Sequence, residues 1–109
     1  MKIVDRATFL SMPQNTVFAK YEPSVFGPIE IKGETWGNDF LTQQIVDAID
    51  SDGTSDFMAK LDDAQANGTS LKMDFYCLGR DGCFDDGQLF AIFEKVDVMA
   101  LIERLKESV

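Results

Sequence analysis

The sequence predicts an α+β fold, with a small, mainly antiparallel sheet and two to three packed helices. Two segments near the N-terminus and one near the C-terminus have the alternation or the aromatic composition of β-strands. Segments with the apolar spacing of amphipathic helices lie between and after them. With 109 residues, 45% of them hydrophobic, the chain is expected to form a single domain, 1–109, with its own core.

The first predicted element is a short helix over residues 5–12. Asp5 can cap this helix, because its carboxylate can accept a hydrogen bond from a free backbone N–H of the first turn. The helix would bury Phe9 and Leu10, and Pro13 ends it.

A hairpin is predicted next, formed by strands at 16–23 (TVFAKYEP) and 28–33 (PIEIKG). In the second strand, isoleucines alternate with charged residues, as expected of a strand with one buried face. A connection of four to five residues joins the two strands.

Residues 39–50 (DFLTQQIVDAID) fit either a strand or a helix. As a strand, the segment places Phe40 and Thr42 on one face. As a helix, it begins at Asn38 or Asp39 and carries a stripe of apolar side chains. The strand is favoured, because TWGN before the segment and DSDGTS after it are typical of hairpins and loops.

Two further helices and two strands complete the prediction. Thr54 or Ser55 caps a helix that Asn67-Gly68 closes, and KMDFY at 72–76 is a short strand. GQLFAIFEKV at 87–96 has apolar residues on both faces, which predicts a central strand. Asp97 is expected to cap the last helix, whose apolar stripe is Val98, Leu101, Ile102 and Leu105.

Charge and composition exclude several functions. The net charge of −9 argues against direct nucleic-acid binding, which needs clustered Lys and Arg. No run of 18 apolar residues predicts a membrane span, and no secretory h-region is seen, so a cytoplasmic protein is expected. The chain has no histidine, which excludes Ser-His and Cys-His nucleophiles and most zinc sites. No catalytic residue and no cofactor are predicted.

Acidic residues are concentrated between positions 47 and 63, with only Lys60 among them. They are Asp47, Asp50, Asp52, Asp56, Asp62 and Asp63. One interpretation is a solvated face that keeps the protein soluble. The other is a surface that competes with nucleic acid for a basic protein partner.

The stretch YCLGRDGCFDDG at 76–87 is predicted to be a glycine-rich connection that places Arg80 beside the sheet. Its spacing matches neither an EF-hand loop nor a zinc site, because Cys77 and Cys83 are the only cysteines and no histidine exists. Reduced thiols are expected in the cytoplasm, while a reactive thiol and a disulfide remain as alternatives.

A candidate ligand site lies at residues 25–40, where Trp36 sits in the loop GETWGND. Aromatic rings there can stack on a base, and basic side chains can meet phosphate. The other interpretation is that Trp36 covers the core. The predicted stacking residues are Phe26, Trp36 and Phe40, the phosphate ligands are Lys20, Lys32 and Arg80, and the ribose ligands are Asn38 and Asp39.

The runs FLSMPQNTVFAKYEPSVFGPIEIKG and MDFYCLGRDGCFDDGQLFAIFEK, with the terminal DVMALIERL, resemble small hypothetical proteins of tailed phages. The resemblance covers most of the chain and involves no established motif. It implies a counter-defence factor, either an anti-CRISPR protein or a sponge for nucleotide immune signals of the Thoeris and CBASS kinds.

These observations lead to three functional hypotheses. In the first, a non-enzymatic homo-oligomer in the host cytoplasm sequesters a small nucleotide-derived signal, such as a cyclic ADP-ribose type molecule or a cyclic dinucleotide. A subunit interface is expected to form the pocket, because a 109-residue domain offers little depth. The alternative is an acidic inhibitor of a host defence protein that binds nucleic acid. The third is a phosphodiesterase-like enzyme.

Overall fold

The computed structural model describes all 109 residues and contains one six-stranded antiparallel sheet and three helices. The α+β prediction is confirmed. The strands are β1 (Lys2–Val4), β2 (Val17–Glu22), β3 (Val25–Trp36), β4 (Asp39–Gln44), β5 (Gly79–Arg80) and β6 (Leu89–Phe93), in the sheet order β1-β6-β2-β3-β4-β5. The helices are α1 (Arg6–Leu10), α2 (Thr54–Asn67) and α3 (Lys95–Lys106). None of the three has the length and apolar character needed to cross a membrane.

One face of the sheet, here called the core face, is covered by α1. The Asp5 carboxylate caps this helix by accepting from the Thr8 N–H at 2.8 Å, as predicted. Phe9 is fully buried, and its ring stacks on Phe90 with 4.0 Å between centroids. The core cluster consists of Phe9, Phe18, Phe40, Phe90 and Ile92. Phe9 is thereby the main contribution of α1 to the core cluster.

The opposite face of the sheet, here called the open face, is also apolar. Strand alternation and register place on it Val17, Ile29, Ile31, Leu41, Ile45 and Phe93. Of the helices, only α3 lies along this face, where residues 74–78 also cover Gln43, and neither α2 nor α3 has a buried residue. Both amphipathic helices are therefore incompletely covered in a single copy of the chain.

The β2–β3 connection is shorter than predicted, with only Pro23 and Ser24 between the strands. Ser24 adopts a left-handed backbone with φ of 69° and donates its N–H to the Tyr21 hydroxyl. β3 contains a β-bulge opposite Lys20, and Pro28, which has no N–H to donate, lies in this bulge. The strand pairing continues beyond the bulge, so β3 begins at Val25 instead of at residue 28.

The middle of the chain confirms one prediction and corrects another. The strand interpretation holds for residues 39–44, which form β4. The segment 72–76 is not a strand, because only Met73 pairs, in an isolated bridge with Ile49. Within the predicted strand 87–96, residues 89–93 form β6, while residues 95 and 96 belong to α3. The position of β6 between β1 and β2 confirms that it is central.

Two predicted helix caps are wrong by one to three residues. The N-cap of α2 is Gly53, and Thr54 and Ser55 lie inside the helix. The N-cap of α3 is Glu94, while Asp97 completes a capping box by accepting from the Glu94 N–H at 2.8 Å. Strands β1 and β5 were not predicted, because three and two residues are too few to show a periodic pattern.

Candidate binding site at the tip of the β3–β4 hairpin

The hairpin tip is the two-residue turn between β3 and β4. Gly37 has a φ of 61°, a conformation that glycine adopts without strain, and register pairs Trp36 with Asp39 across the turn. The buried Arg6 of α1 donates a hydrogen bond through Nη2 to the Asn38 carbonyl. Its Cζ atom lies 5.8 Å from the centroid of the Phe40 ring. The tip is thereby fixed to the helix that covers the core.

Asp39 is buried at the base of this tip, and both of its carboxylate oxygens are engaged. One oxygen accepts from the Gly82 N–H at 3.0 Å, and the other accepts from Arg80 Nε at 2.9 Å. The Gly82 hydrogen bond is the largest cause of the lowered pKa of Asp39, to which Arg80 also contributes. Asp39 is therefore an anion that positions Arg80 and the following loop, and its oxygens are not free for ribose hydroxyls.

Arg80 and Trp36 lie on the open face, on the two strands that flank β4. Trp36 is opposite Asp39 and Arg80 is opposite Leu41, and residues 39 and 41 point to the same side of β4. The Arg80 side chain is 57% exposed and is bonded through Nε alone, so its two terminal nitrogens have no protein partner. Trp36 is 49% exposed. The tip thus presents an exposed indole and an exposed guanidinium on one face of the sheet, from the two strands that flank β4.

Two of the predicted ligand residues lie away from the tip. Phe26 is ten positions from Trp36 on the same strand, which corresponds to about 30 Å at about 3.3 Å per residue. Its ring packs on Tyr21 with 5.0 Å between centroids. Lys20 points to the core face, where its Nζ forms an ion pair with Asp81. These side chains cannot contact the same small ligand as Trp36 in one copy.

Two more predicted ligand residues lie in the interior. Phe40 belongs to the core cluster, and Lys32 is only 1% exposed. Lys32 Nζ donates to Thr35 Oγ1 at 2.6 Å and to the Gly33 carbonyl at 3.2 Å, with no carboxylate partner. Burial lowers the pKa of this ammonium. In this conformation, neither residue is accessible to a ligand.

The substitution Lys32→Met is expected to stabilise the protein by about 1 kcal/mol at neutral pH, because it removes a buried cation of similar length. Because the pKa of Lys32 is lower in the folded protein, the unfolded chain binds more protons than the folded chain at pH values between that pKa and 10.5. The free-energy cost of burying Lys32 therefore falls as the pH rises. Urea unfolding of both proteins at several pH values up to 10.5 should show the advantage of methionine shrinking. A constant or growing advantage would contradict a buried, destabilising ammonium.

Two residues that hold the tip, Arg6 and Gly82, were not among the predicted ones. Arg6 and Gly82 contact the tip from positions 32 and 43 residues away in the chain, respectively. No local pattern connects these positions, although Asp81-Gly82 is a recognisable turn dipeptide.

No three His, Cys, Asp or Glu side chains are arranged to hold a metal ion. Cys77 and Cys83 are both exposed and are not bonded to each other. Comparison of the chain with protein-family models, curated proteins and solved structures finds no match.

Proposed function

We propose that this protein binds and sequesters a small anionic ligand with an aromatic base, at the tip of the β3–β4 hairpin. The observation that carries the proposal is the exposed Trp36 indole on the same sheet face as Arg80, whose terminal nitrogens are free. A guanidinium fixed by a buried carboxylate can meet phosphate without further ordering. The ligand class is a nucleotide-derived immune signal, of the cyclic ADP-ribose type or a cyclic dinucleotide.

In this proposal the base stacks on Trp36, and a phosphate oxygen accepts from the Nη groups of Arg80. Asn38 supplies an exposed side-chain amide for ribose hydroxyls, since only its backbone carbonyl is used by Arg6. Asp39 acts by holding Arg80 in place. The local positive charge of Arg80 must overcome the repulsion of an anion by a chain of net charge −9.

A thermal-shift screen against cyclic ADP-ribose and cyclic dinucleotides, with mass spectrometry of each mixture, tests this function. Ligand at about 100 times its dissociation constant should add about 2.7 kcal/mol of stability. A shift with the ligand recovered intact supports sequestration. A shift with cleaved ligand would make the protein an enzyme, and no shift with any ligand would contradict the nucleotide site.

A second candidate function rests on the acidic unit, defined as residues 45–74, which contains α2. This unit has seven aspartates and two lysines, a net charge of −5. Both lysines are already paired, Lys60 with Asp56 at 3.1 Å and Lys72 with Asp50 at 3.6 Å. Such a surface can occupy the basic site of a host defence protein that binds nucleic acid.

This second function predicts a binding partner whose affinity falls steeply with salt and is unchanged by Trp36→Ala. The paired charge-reversal test is Asp62→Lys with Asp63→Lys, at two exposed positions of α2. The inhibitor function requires this variant to lose binding to the basic partner. Retained binding would contradict the role of the acidic unit.

A further inference from the structure

Helix α3 carries an apolar stripe that one copy of the chain does not cover. Val98, Leu101, Ile102 and Leu105 follow the spacing i, i+3, i+4, i+7 of a buried helix face. No residue of α3 is nevertheless buried, and Ile102 and Leu105 are 47% and 56% exposed. A helix with this pattern is expected to bury its stripe against another surface.

Between α3 and the open face runs a groove of about 470 Å³ with no polar side chain in its lining. Its nine lining residues are Val17, Ile29, Ile31, Ile45, Phe93, Val98, Leu101, Ile102 and Leu105. The groove joins the helix stripe to the apolar strand residues into one continuous surface. Contiguous apolar surfaces of this kind mark interaction sites.

The exposed area of the whole chain is larger than that of a typical monomer. It is 7379 Å², while a folded monomer of 12.2 kDa exposes about 6,100 Å² by the usual scaling. The excess of about 1,300 Å² exceeds the roughly 800 Å² that each partner buries in a standard interface. The chain as a whole therefore exposes enough surface beyond that of a compact monomer for one standard interface.

Charge favours a second copy of this chain as the occupant. The chain carries −9, so two copies repel each other over most of their surfaces. Residues 95–107 are different, with three cations and three anions and no net charge. These are Lys95, Asp97, Glu103, Arg104, Lys106 and Glu107. In this region two copies can approach each other without bringing two negatively charged surfaces together.

The sheet edges are poor alternatives for assembly. The edge strands β1 and β5 have only three and two residues, which leaves few unpaired backbone groups for another strand. A second copy is therefore expected to pack against the face of the sheet rather than to extend it.

We propose that the protein is a two-fold symmetric homodimer in which α3 of each copy packs into the groove of the other. In such an interface, the same patch serves both subunits. The stripe residues Ile102 and Leu105 of one copy fill the groove beside Val17, Ile31 and Phe93 of its partner. This assembly does not depend on the identity of any ligand at the hairpin tip.

Sedimentation velocity over a concentration series tests the dimer. The native chain should sediment as a species of twice 12.2 kDa, and Ile102→Glu should sediment as a monomer with an unchanged circular dichroism spectrum. The matched control is Met58→Glu, an exposed methionine on α2, which should remain dimeric. A native chain that stays monomeric across the series, or a dimeric Ile102→Glu, would overturn the proposal.

A second variant avoids any change to apolar packing. Arg104→Glu with Lys106→Glu alters two exposed side chains and turns the neutral α3 surface acidic. The dimer dissociation constant should rise at least tenfold at low salt and recover partly at high salt. An unchanged constant would place the interface elsewhere.

Discussion

Phe9→Ala should lower the free energy of unfolding by about 3–5 kcal/mol, the usual cost of removing a buried phenylalanine ring. Phe9 is fully buried and is the α1 residue in the core cluster, stacked on Phe90 and within 4.6 Å of Phe18 between ring centroids. Since most small domains have only about 5–15 kcal/mol of stability, the variant should be close to unfolding.

Urea unfolding followed by circular dichroism measures this effect. The matched control is Phe26→Ala, an exposed phenylalanine on β3, which should cost less than about 1 kcal/mol. A Phe9→Ala variant that unfolds at nearly the native urea concentration would show that α1 does not close the core.

Trp36→Ala should weaken ligand binding by about 1–3 kcal/mol, the value of one base stacked on an aromatic ring. That corresponds to roughly a five- to 150-fold rise in the dissociation constant. Because the indole is half exposed, the cost in stability should be below about 1 kcal/mol. The loss is therefore expected to appear in calorimetric titration and not in unfolding.

Two further variants locate the binding determinants. Arg80→Lys keeps the charge but loses the planar fork, so it should weaken binding less than Arg80→Met. Phe26→Ala serves again as the control, because Phe26 lies about 30 Å from Trp36. Equal binding by native protein and Trp36→Ala, or a loss in Phe26→Ala, would contradict a site at the hairpin tip.

Local patterns predicted the elements of the fold better than their ends. The alternation of isoleucines and charged residues at 28–33 identified part of β3, and apolar residues on both faces identified β6 as central. The predicted caps differ from those observed, because Ser55 and Asp97 are better N-cap residues by type than Gly53 and Glu94. The α2 boundary at Gly68 was predictable, since its left-handed φ of 70° favours glycine.

The candidate site was only partly predictable, and a β-bulge explains why. With regular alternation, Lys32 and Trp36 would lie on the same face of β3. The register shift between Lys32 and Thr35 reverses the alternation, so Lys32 points to the core while Trp36 points to the open face. Bulges depend on the pairing of strands, and the sequence of one strand does not reveal them.

Long-range contacts account for the rest of the site. Arg80 is 41 residues from Asp39, and their ion pair exists because β5 joins the sheet beside β4. The stretch 76–87 indicated an arginine beside the sheet, but only the fold places Arg80 on the same face as Trp36.

Trp36 is the only tryptophan of the chain, so its fluorescence reports directly on the proposed site. We would titrate the protein with cyclic ADP-ribose and with cyclic dinucleotides while recording this emission. Stacking of a base on the indole predicts saturable quenching, with a midpoint that matches the thermal-shift affinity. Thermal stabilisation without any change in Trp36 emission, or no response to any of these ligands, would contradict the proposed nucleotide site.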